Sequence, residues 1–269
     1  MVEIHKTAIV SKKAELGKNV KIGPYSIIGE GVVIGDETEI GEHVLIEKDT
    51  VIGKKCKIFK SAVLGTDPQD LKYKGEKTYL FVGDNTVIRE FCTLNRGTEA
   101  TGKTVVGNDC LLMSYVHIAH DCRVGNGVIL ANCATLAGHV IVDDFAVIGG
   151  LTPVHQFVRI GKMSIVGGLS RVTQDVPPFT KAAGVPLRVY GLNTVGLKRK
   201  GVSKEIRIEL EKIYRTYYRN RKPRKEIRDE MKSFETNSDF AKEFILFLTS
   251  YSKRGITPDI IVDKKGKFS

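Results

Sequence analysis

Aliphatic residues recur at every sixth position along the first two thirds of the chain. Steps of six from Ile4 to Val172 reach 29 positions, and 26 of these are isoleucine, leucine or valine. Glycine often follows the aliphatic residue. The residue two positions before the aliphatic one is small, as at Ala8, Ser26 and Ala134. One large and one small inward residue in every six describe one face of a triangular prism, and this period is typical of a parallel β-helix.

Three six-residue units would complete one coil, so residues 18 apart should stack on neighbouring coils at the spacing of paired strands. We predict a mainly β fold in which the β-helix runs from about residue 2 to residue 182. Its end is expected at DVPPF (residues 175–179), because two consecutive prolines interrupt strand pairing.

Beyond the repeat, the hydrophobic pattern becomes helical. Ser203 and Ser238 are candidate N-caps of two helices, the second of which should end at Gly255, and a proline between them could open another. We therefore predict a β-helix domain at residues 1–190 and a small helical domain at residues 191–269.

Two polar stretches interrupt the aliphatic period. They are TDPQDLKYKGEKTY (residues 66–79) and the shorter RGTEATGK (residues 96–103), and the period resumes in phase after each of them. We interpret both as loops that leave an otherwise intact prism. A scaffold that keeps its register around a polar insertion is more typical of a functional loop than of a tolerated one.

The cysteines follow the same period. Cys56, Cys92, Cys110 and Cys122 fall at the small inward position, which predicts buried thiols without disulfides. Cys92 and Cys110 are separated by the length of one predicted coil, so we expect them to share a column.

Charge is concentrated in one segment. Residues 198–225 hold 12 lysines and arginines against three glutamates, a balance of +9 in a chain whose net charge is +11. A solvated helix face is the ordinary explanation, and docking of an acidic protein or a phosphorylated ligand is another. Nucleic acid is less favoured, because the aromatic residues here fall at helical core spacing and do not interleave with the basic ones.

The chain has no run of about twenty apolar residues and no signal-peptide pattern at its start. We therefore expect a cytoplasmic protein without a membrane span.

Four of the six histidines lie between residues 117 and 155. Gly138 lies 18 residues after His120, and His139 lies 18 residues after Asp121. Each pair should therefore stack on neighbouring coils. A histidine beside a carboxylate is the arrangement of a general base, since the carboxylate orients the imidazole and stabilises its protonated form. The Gly138 N–H is then a candidate donor to a developing oxyanion.

Two other functions are compatible with this pattern. Imidazoles that converge from neighbouring coils could bind Zn²⁺, as in the γ-class carbonic anhydrases, which are built on the same kind of repeat. A β-helix used only for binding or scaffolding is the second alternative.

Eight strings, spread over nearly the whole chain, carry a resemblance to a known family. They are PQDLKYKGE, HIAHDC, ILANCATLAGHV, DDFAVIGG, VHQFVRIG, VGG, QDVPPF and GLNTVGLKRKG, in that order. In this respect the sequence resembles the UDP-N-acetylglucosamine O-acyltransferases of lipid A biosynthesis. The HIAHDC and GLKR blocks make the resemblance specific, because generic hexapeptide transferases lack both.

The resemblance implies a left-handed β-helix with a C-terminal helical domain, assembled as a homotrimer with active sites between subunits. It implies the first step of lipid A biosynthesis, in which an (R)-3-hydroxyacyl chain passes from acyl carrier protein to the 3-hydroxyl of UDP-N-acetylglucosamine. No metal and no cofactor are expected beyond the phosphopantetheine of the acyl carrier protein, which is acidic and would suit the basic helical domain.

The resemblance also assigns roles to residues of this chain. His120 would be the general base, Asp121 would orient it, and the Gly138 N–H would stabilise the oxyanion. Glycine at Gly168 would leave room for a longer acyl chain. Ten further residues would bind the sugar, the nucleotide phosphates or the pantetheine arm: Gln69, Asp70, Lys72, His117, His139, His155, Gln156, Asn193, Arg199 and Lys200.

Three positions depart from the family pattern. Asn95 stands where members commonly have histidine, Pro186 stands where some have histidine, and Lys200 replaces a frequent arginine. Lysine cannot form the two-pronged contact that arginine makes with a phosphate, so we expect a different arrangement of phosphate contacts. Asn95 leaves open a variant function in which the acceptor is a 3-amino UDP-sugar and the product is an amide.

Overall fold

The computed structural model describes residues 1–220 and 222–260. In this part of the chain the strands, in chain order, are β1 (Glu3–Ile4), β2 (Ile9–Val10), β3 (Glu15–Leu16), β4 (Lys21–Ile22), β5 (Ile27–Ile28), β6 (Val33–Ile34), β7 (Glu39–Ile40), β8 (Leu45–Ile46), β9 (Thr50–Ile52), β10 (Lys57–Ile58), β11 (Val63–Thr66), β12 (Tyr79–Val82), β13 (Val87–Ile88), β14 (Thr93–Asn95), β15 (Lys103–Val106), β16 (Leu111–Leu112), β17 (His117–Ile118), β18 (Arg123–Val124), β19 (Ile129–Leu130), β20 (Thr135–Leu136), β21 (Ile141–Val142), β22 (Val147–Ile148), β23 (Pro153–Val154), β24 (Arg159–Ile160), β25 (Ile165–Val166), β26 (Thr180–Ala183) and β27 (Arg188–Leu192). The helices are α1 (Thr194–Arg199), α2 (Lys204–Tyr218), α3 (Arg224–Lys232) and α4 (Asp239–Thr249).

The strands form three sheets, which are the three faces of a prism. Sheet I starts with β1, β4 and β7, sheet II with β2, β5 and β8, and sheet III with β3, β6 and β9, so the chain visits the sheets in turn. Pairing is parallel and joins residues 18 apart, as at Ile4 and Ile22 or Ile22 and Ile40. The fold is a left-handed parallel β-helix with a small helical region after it, which confirms the predicted fold class.

The inward aliphatic side chains form one continuous core along the prism axis, and the four cysteines of the repeat are buried with them. Burial raises the pKa of the Cys122 thiol to about 12 and that of Cys92 to about 11, so these thiols stay protonated and unreactive. The expected column of Cys92 and Cys110 is wrong. The Cys110 N–H donates to Thr86, and the Cys92 carbonyl oxygen accepts from Val63 on another face.

The chain carries two insertions, and the second of them, which lies between Cys92 and Cys110, explains that error. Val63 pairs with Thr93, and Val82 pairs with Val106, so these partners are separated by more than one regular coil. The separation exceeds the regular coil of 18 residues by two six-residue units for Val63 and Thr93, and by one unit for Val82 and Val106. The aliphatic period therefore continues in phase, but residues on either side of an insertion no longer stack at the regular pitch. The inserted segments are the two polar stretches, which we name loop 1 (residues 67–78) and loop 2 (residues 96–102).

Most corners of the prism place their second residue in the left-handed backbone region, which is unfavourable for most side chains. His139 (φ 62°) and Phe157 (φ 65°) are examples. The N–H of the strained residue donates to a carbonyl of the coil before it, as from His139 to His120 at 3.0 Å. Stacking of the coils therefore stabilises each strained corner.

The repeat extends further than the prolines of DVPPF suggested. Pro178 lies at a corner beside Gly161, and β26 then pairs in parallel with β25 and antiparallel with β27. The prediction that the prolines end strand pairing is therefore wrong. The predicted domain boundary at residue 190 falls within β27, and the division into domains stays a prediction.

The helical region follows the predicted caps. Ser203 and Ser238 cap α2 and α4 through their side-chain oxygens. The predicted end of the last helix at Gly255 is wrong, because α4 ends at Thr249 and the chain then returns to the β-helix. There the Gly255 carbonyl accepts from the Asp175 N–H at 2.8 Å. No helix in the described ranges is long and apolar enough to cross a lipid bilayer.

Asp175 joins the β-helix to this returning segment. Its buried carboxylate accepts from the Arg159 N–H and Nε at 2.8 Å each, and from Ser252 Oγ at 2.7 Å. The Arg159 guanidinium also lies over the Phe247 ring of α4. One carboxylate therefore holds three chain segments together.

We predict that Asp175→Asn destabilises the protein by about 3 kcal/mol, because it leaves the Arg159 charge without its carboxylate. In a scanning calorimetry experiment this should lower Tm by roughly 5–10 °C. Glu30→Gln is the matched control, since Glu30 pairs with Lys13 on the surface, where each side chain is more than half exposed. Equal Tm values for the two variants would contradict the role assigned to Asp175.

Candidate active site

Loop 1, loop 2 and His120 leave the prism from the same edge. This edge, here called the catalytic edge, is the corner through which the chain passes from sheet II to sheet III. Loop 1 joins β11 to β12 there, loop 2 joins β14 to β15, and the next two coils place His120–Asp121 and Gly138–His139 at the same corner. The repeat therefore stacks loop 2 directly against the coil of the predicted base, with loop 1 on the coil before loop 2.

The geometry between His120 and Gly138 agrees with the predicted pitch. A Cβ atom on Gly138 would lie 2.6 Å from Cε1 and 2.7 Å from Nε2 of His120, so only glycine leaves room for the imidazole. Asp121 Oδ2 lies 2.7 Å from His120 Nδ1 and 3.8 Å from His139 Nε2. Since Nδ1–H donates to the carboxylate, Nε2 of His120 is left as the free acceptor.

Asp121 is completely buried at its side chain and is held by loop 2. Thr98 donates to Oδ1 through its backbone N–H (3.0 Å) and to Oδ2 through its hydroxyl (2.7 Å), and the Thr101 hydroxyl donates to Oδ1. Burial raises the pKa of the Asp121 carboxyl, but the hydrogen bonds from Thr101, His120 and Thr98 outweigh it and the net pKa is lowered. The carboxylate is thus kept ionised beside the base.

Two further imidazoles flank this pair. His117 bonds through Nδ1 to Thr93 Oγ at 2.7 Å, and His139 stacks on the Phe157 ring with centroids 4.6 Å apart. Burial lowers the pKa of both histidines, and proximity to His120 lowers it further. Both are therefore neutral near pH 7 and can bind uncharged polar groups of a ligand.

Loop 1 brings two of the predicted sugar-binding residues to this place. Asp70 and Lys72 line a cavity of about 380 Å³ together with His139 and Thr98. Gln69 lines a separate cavity of about 670 Å³, next to Asn95. The structure therefore brings two of the three loop residues to the cavity beside His139.

The buried residue Arg96 anchors loop 1. Its guanidinium donates to the Gly65 carbonyl at 2.5 Å, to the Asp67 carboxylate and to Tyr73 Oη at 3.2 Å. Asn95, one of the departures from the family pattern, is also buried and donates through Nδ2 to the Thr66 hydroxyl and the Asp67 carbonyl, both at 2.9 Å. Both residues shape loop 1 from beneath.

The other predicted residues lie elsewhere on the same prism. His155 and Gln156 are exposed beside Phe157, two coils beyond His120. Gly168 is exposed on the edge between sheets I and II, where an added Cβ would lie 3.2 Å from the Gly150 carbonyl oxygen.

Asn193 and Lys200 lie at the third edge, between sheets III and I. Asn193 caps α1 through Gly196 N–H and donates to the Met163 carbonyl at 2.9 Å, so its side chain is already bonded within the chain. Lys200 Nζ lies 4.0 Å from the centroid of the Phe145 ring, and Arg199 beside it is exposed. Their assignment to the nucleotide stays a prediction.

Three residues of the site were not predicted individually. Thr98 and Thr101 bond Asp121, and the only signal for them was the polar interruption that we interpreted as a functional loop. Lys253 lies 3.2 Å from the centroid of the Phe157 ring, although it is far from Phe157 in sequence and no local pattern indicates the contact.

The donor set was also tested for zinc. Donor atoms of His120, Asp121 and His139 lie within 4.8 Å of one another. However, both Asp121 oxygens already accept from threonines and His120 Nδ1 is bonded to Asp121, so two imidazoles, each able to offer one nitrogen, remain as ligands in this cluster. This arrangement fits an oriented base better than a zinc site with three imidazole ligands.

Comparison with known proteins agrees with the motif resemblance. Residues 175–257 match the family model described as Udp N-acetylglucosamine O-acyltransferase, domain 2, and residues 13–48 and 103–138 match the bacterial transferase hexapeptide model. The chain is 57% identical over 262 residues to the acyl-[acyl-carrier-protein]–UDP-N-acetylglucosamine O-acyltransferase of Sulfurihydrogenibium sp. (strain YO3AOP1), covering 96% of each chain. It is 66% identical over 221 residues to the enzyme of the same name from Chlorobium phaeobacteroides, covering 82% of this chain and 84% of that one.

Among solved structures, the chain superposes on the UDP-N-acetylglucosamine acyltransferase of Francisella novicida with a TM-score of 0.92 at 38% identity, covering 95% of this chain and 94% of that one. Sequence identity and fold thus agree over almost the whole length, and the site motifs lie within the matched region. The protein belongs to the family of acyl-[acyl-carrier-protein]–UDP-N-acetylglucosamine O-acyltransferases.

Proposed function

We propose that the protein transfers an (R)-3-hydroxyacyl chain from acyl carrier protein to the 3-hydroxyl of UDP-N-acetylglucosamine, the first step of lipid A biosynthesis. The observation that carries this proposal is the His120–Asp121 pair stacked over Gly138 in a chain of this family. The related enzymes are named for O-acyl transfer, which favours a hydroxyl over an amine as the acceptor group.

The chemistry follows from the free nitrogen of His120. Nε2 takes the proton of the sugar 3-hydroxyl as its oxygen attacks the thioester carbonyl carbon. The resulting oxyanion is stabilised by the Gly138 N–H, which has no acceptor within the described residues. The C–S bond then breaks, and the imidazolium returns its proton to the departing thiolate of phosphopantetheine. The acyl group thereby moves from the pantetheine sulfur to the sugar oxygen, and the proton of the 3-hydroxyl moves to the sulfur. No metal or other cofactor is required.

The surrounding residues suit the two substrates. Asp70 and Lys72 line the cavity beside His139, which supports a role for them in binding the sugar, and Gln69 lines a separate cavity on loop 1. The neutral imidazoles of His117 and His139 suit the hydroxyl and amide groups of the sugar and the pantetheine arm, as does the exposed pair His155 and Gln156 farther along the edge.

The nucleotide contacts support a composite site between subunits of a homotrimer. Arg199 and Lys200 lie near the edge of sheets III and I, whereas His120 lies at the catalytic edge, one prism face away. A face holds about five residues of extended chain, roughly 15 Å. This is longer than the separation of the diphosphate and the 3-hydroxyl in a UDP-sugar, which supports binding of the two groups by residues from two copies.

The outer surface supports the same assembly. Aromatic and aliphatic side chains are exposed in one line along the edge between sheets I and II, which is typical of a contact surface. They are Phe91, Tyr115, Leu151 and Leu169. Gly168 lies in the same edge, where glycine leaves the space that an acyl chain would need.

The helical region supports binding of acyl carrier protein. Exposed lysines and arginines cover α1 and α2, for example Lys198, Lys204 and Lys212. An acidic carrier would be attracted to this surface over a distance set by ionic strength. Both substrates of the proposed reaction are cytoplasmic, which supports a cytoplasmic location.

We predict that His120→Ala abolishes acyl transfer, because His120 is the imidazole that the Asp121 carboxylate orients with a free Nε2. A fall of at least about 100-fold in kcat is expected. The assay is transfer from acyl carrier protein, with calorimetric binding of UDP-N-acetylglucosamine as the test that the site is intact. His43→Ala, which removes a histidine stacked on Tyr25 at another edge, should retain full activity. Normal turnover by the His120 variant would refute the assignment.

We predict that two inactive variants restore activity when they are mixed in one oligomer. His120→Ala and Arg199→Glu chains should each form oligomers with little activity at low UDP-sugar concentration. Random co-assembly in a ring then gives about one quarter of the sites an intact His120 and an intact Arg199 from neighbouring subunits. Tagged, co-expressed chains purified as mixed oligomers provide the material. No recovery of activity would show that both residues act within one subunit.

We predict that Lys204→Glu combined with Lys212→Glu raises KM for acyl carrier protein at least about tenfold, because the carrier is acidic. KM for the UDP-sugar should not change, and added salt should affect the variant less than the parent protein. Lys6→Glu with Lys12→Glu has the same charge change at the far end of the β-helix and serves as control. Equal effects of the two pairs would argue against a docking surface on α2.

A further inference from the structure

We propose that Thr98 and Thr101 of loop 2 are positioning residues that fix the Asp121 carboxylate and, through it, the orientation of the His120 base. This inference rests on the proposed function of His120. Neither threonine reaches the base itself, so neither is a catalytic residue.

The Asp121 carboxylate has no free acceptor position. Oδ2 accepts from His120 Nδ1 and Thr98 Oγ, each at 2.7 Å, and Oδ1 accepts from the Thr98 N–H at 3.0 Å and from the Thr101 hydroxyl. Two oxygens with four acceptor directions are thus saturated. Three of the four donors come from loop 2, so this loop determines where the carboxylate lies.

The Thr101 hydroxyl has a single proton and two acceptors within reach. Lys103 O is 2.8 Å away, and the Asp121 carboxylate is nearer. A charged acceptor binds a hydroxyl more strongly than a neutral carbonyl does, so the proton belongs to Asp121. The Thr98 hydroxyl is committed in the same way, because it accepts from the Ala100 N–H at 3.2 Å and donates to Asp121.

Loop 2 is long enough to make these contacts only because of its insertion. The regular corner of the repeat has two residues, whereas loop 2 extends over Arg96 to Gly102 and turns back beneath the next coil. The Thr104 hydroxyl at its return accepts from the Asp121 backbone N–H at 2.9 Å. Loop 2 therefore holds the Asp121 side chain, and Thr104 in β15, directly after the loop, holds its backbone.

Loop 1 in turn supports loop 2. The Glu76 carboxylate accepts from the Glu99 N–H at 3.2 Å and from the Lys74 N–H at 2.8 Å, which joins the two loops. Burial of Asp121 beneath both loops keeps water from competing for its oxygens, so the threonine bonds act at nearly full strength.

Valine at both positions keeps the shape and removes the two hydroxyl donors. For Thr98→Val with Thr101→Val, we expect kcat to fall on the order of 30-fold, because the base loses its fixed orientation. KM for each substrate should stay within about threefold, since neither threonine is assigned to binding. Serine at both positions restores the hydroxyls and should return kcat to within about threefold of the parent value.

The pH profile separates positioning from a merely structural role. Without the threonine donors the charge of Asp121 is less compensated, which favours the protonated form of the His120–Asp121 pair. The acid limb of kcat/KM should therefore move to higher pH in the valine variant. The other titratable groups around the pair are the same in all variants: His117 and His139 lie beside His120, and Asp70 and Lys253 face His139.

Thr86→Val is the matched control. Thr86 is buried at the edge between sheets III and I, where its hydroxyl donates to the Gly107 carbonyl and accepts from the Cys110 N–H. It should lose stability but keep the parent kcat and pH profile. If the double valine variant does not fold, Thr101→Val alone carries the same readouts.

The inference is overturned if the valine variant keeps the parent kcat and acid limb, or if serine fails to restore them. It is also overturned if the whole loss lies in KM. His120→Ala is assayed in parallel. An active His120→Ala protein would refute the proposed base, whereas an inactive one beside an unchanged valine variant would refute only the role of loop 2.

Discussion

The hydrogen-bond ladder between successive coils is the constraint on which the rest of the structure depends. Each strand donates to the coil after it, as from Ala119 N to Leu136 O at 3.0 Å and from Ala137 N to Val154 O at 3.1 Å. Parallel pairing of this kind requires the corners to stack, and stacked corners bring chemically active residues from successive coils into one column. Both loops insert whole repeat units, so the ladder continues in phase after them, although the pairing of β11 with β14 shifts between Leu64 and Thr66 at the start of loop 1.

Close approach at Gly138 follows from the same ladder. The imidazole of His120 lies where a Cβ on the next coil would be, and it could not lie there beside any other residue. A slip of one residue would move every side chain to the opposite face and separate the base from glycine. The aliphatic core therefore contributes to catalysis indirectly, since it fixes the register that brings His120, Asp121 and Gly138 together.

The sequence was sufficient to predict the prism, the three helix starts and the two stacked pairs at the catalytic edge. These all depend on periodicity or on local caps, which a single sequence displays. The prediction that Cys92 and Cys110 share a column was wrong, because the length of chain that leaves the prism at a loop is visible only in the strand pairing. The end of α4 failed because Gly255 pairs with Asp175, which is distant from it in sequence. Thr98 and Thr101 were inaccessible for the same reason, since their partner lies on the following coil.

The three edges of the prism differ in what they carry, and this difference supports the proposed site between subunits. The catalytic edge holds the predicted base and the loops, the edge between sheets III and I lies beside Lys200, and the edge between sheets I and II exposes apolar side chains and Gly168. Side chains on different edges of a convex prism point away from one another, so a second copy would bring them to one ligand more readily than a single chain could. In the proposed ring of three copies, one edge of each subunit would face another edge of its neighbour, which would convert convex corners into clefts. Such an assembly would supply a concave surface between edges that are convex in a single β-helix.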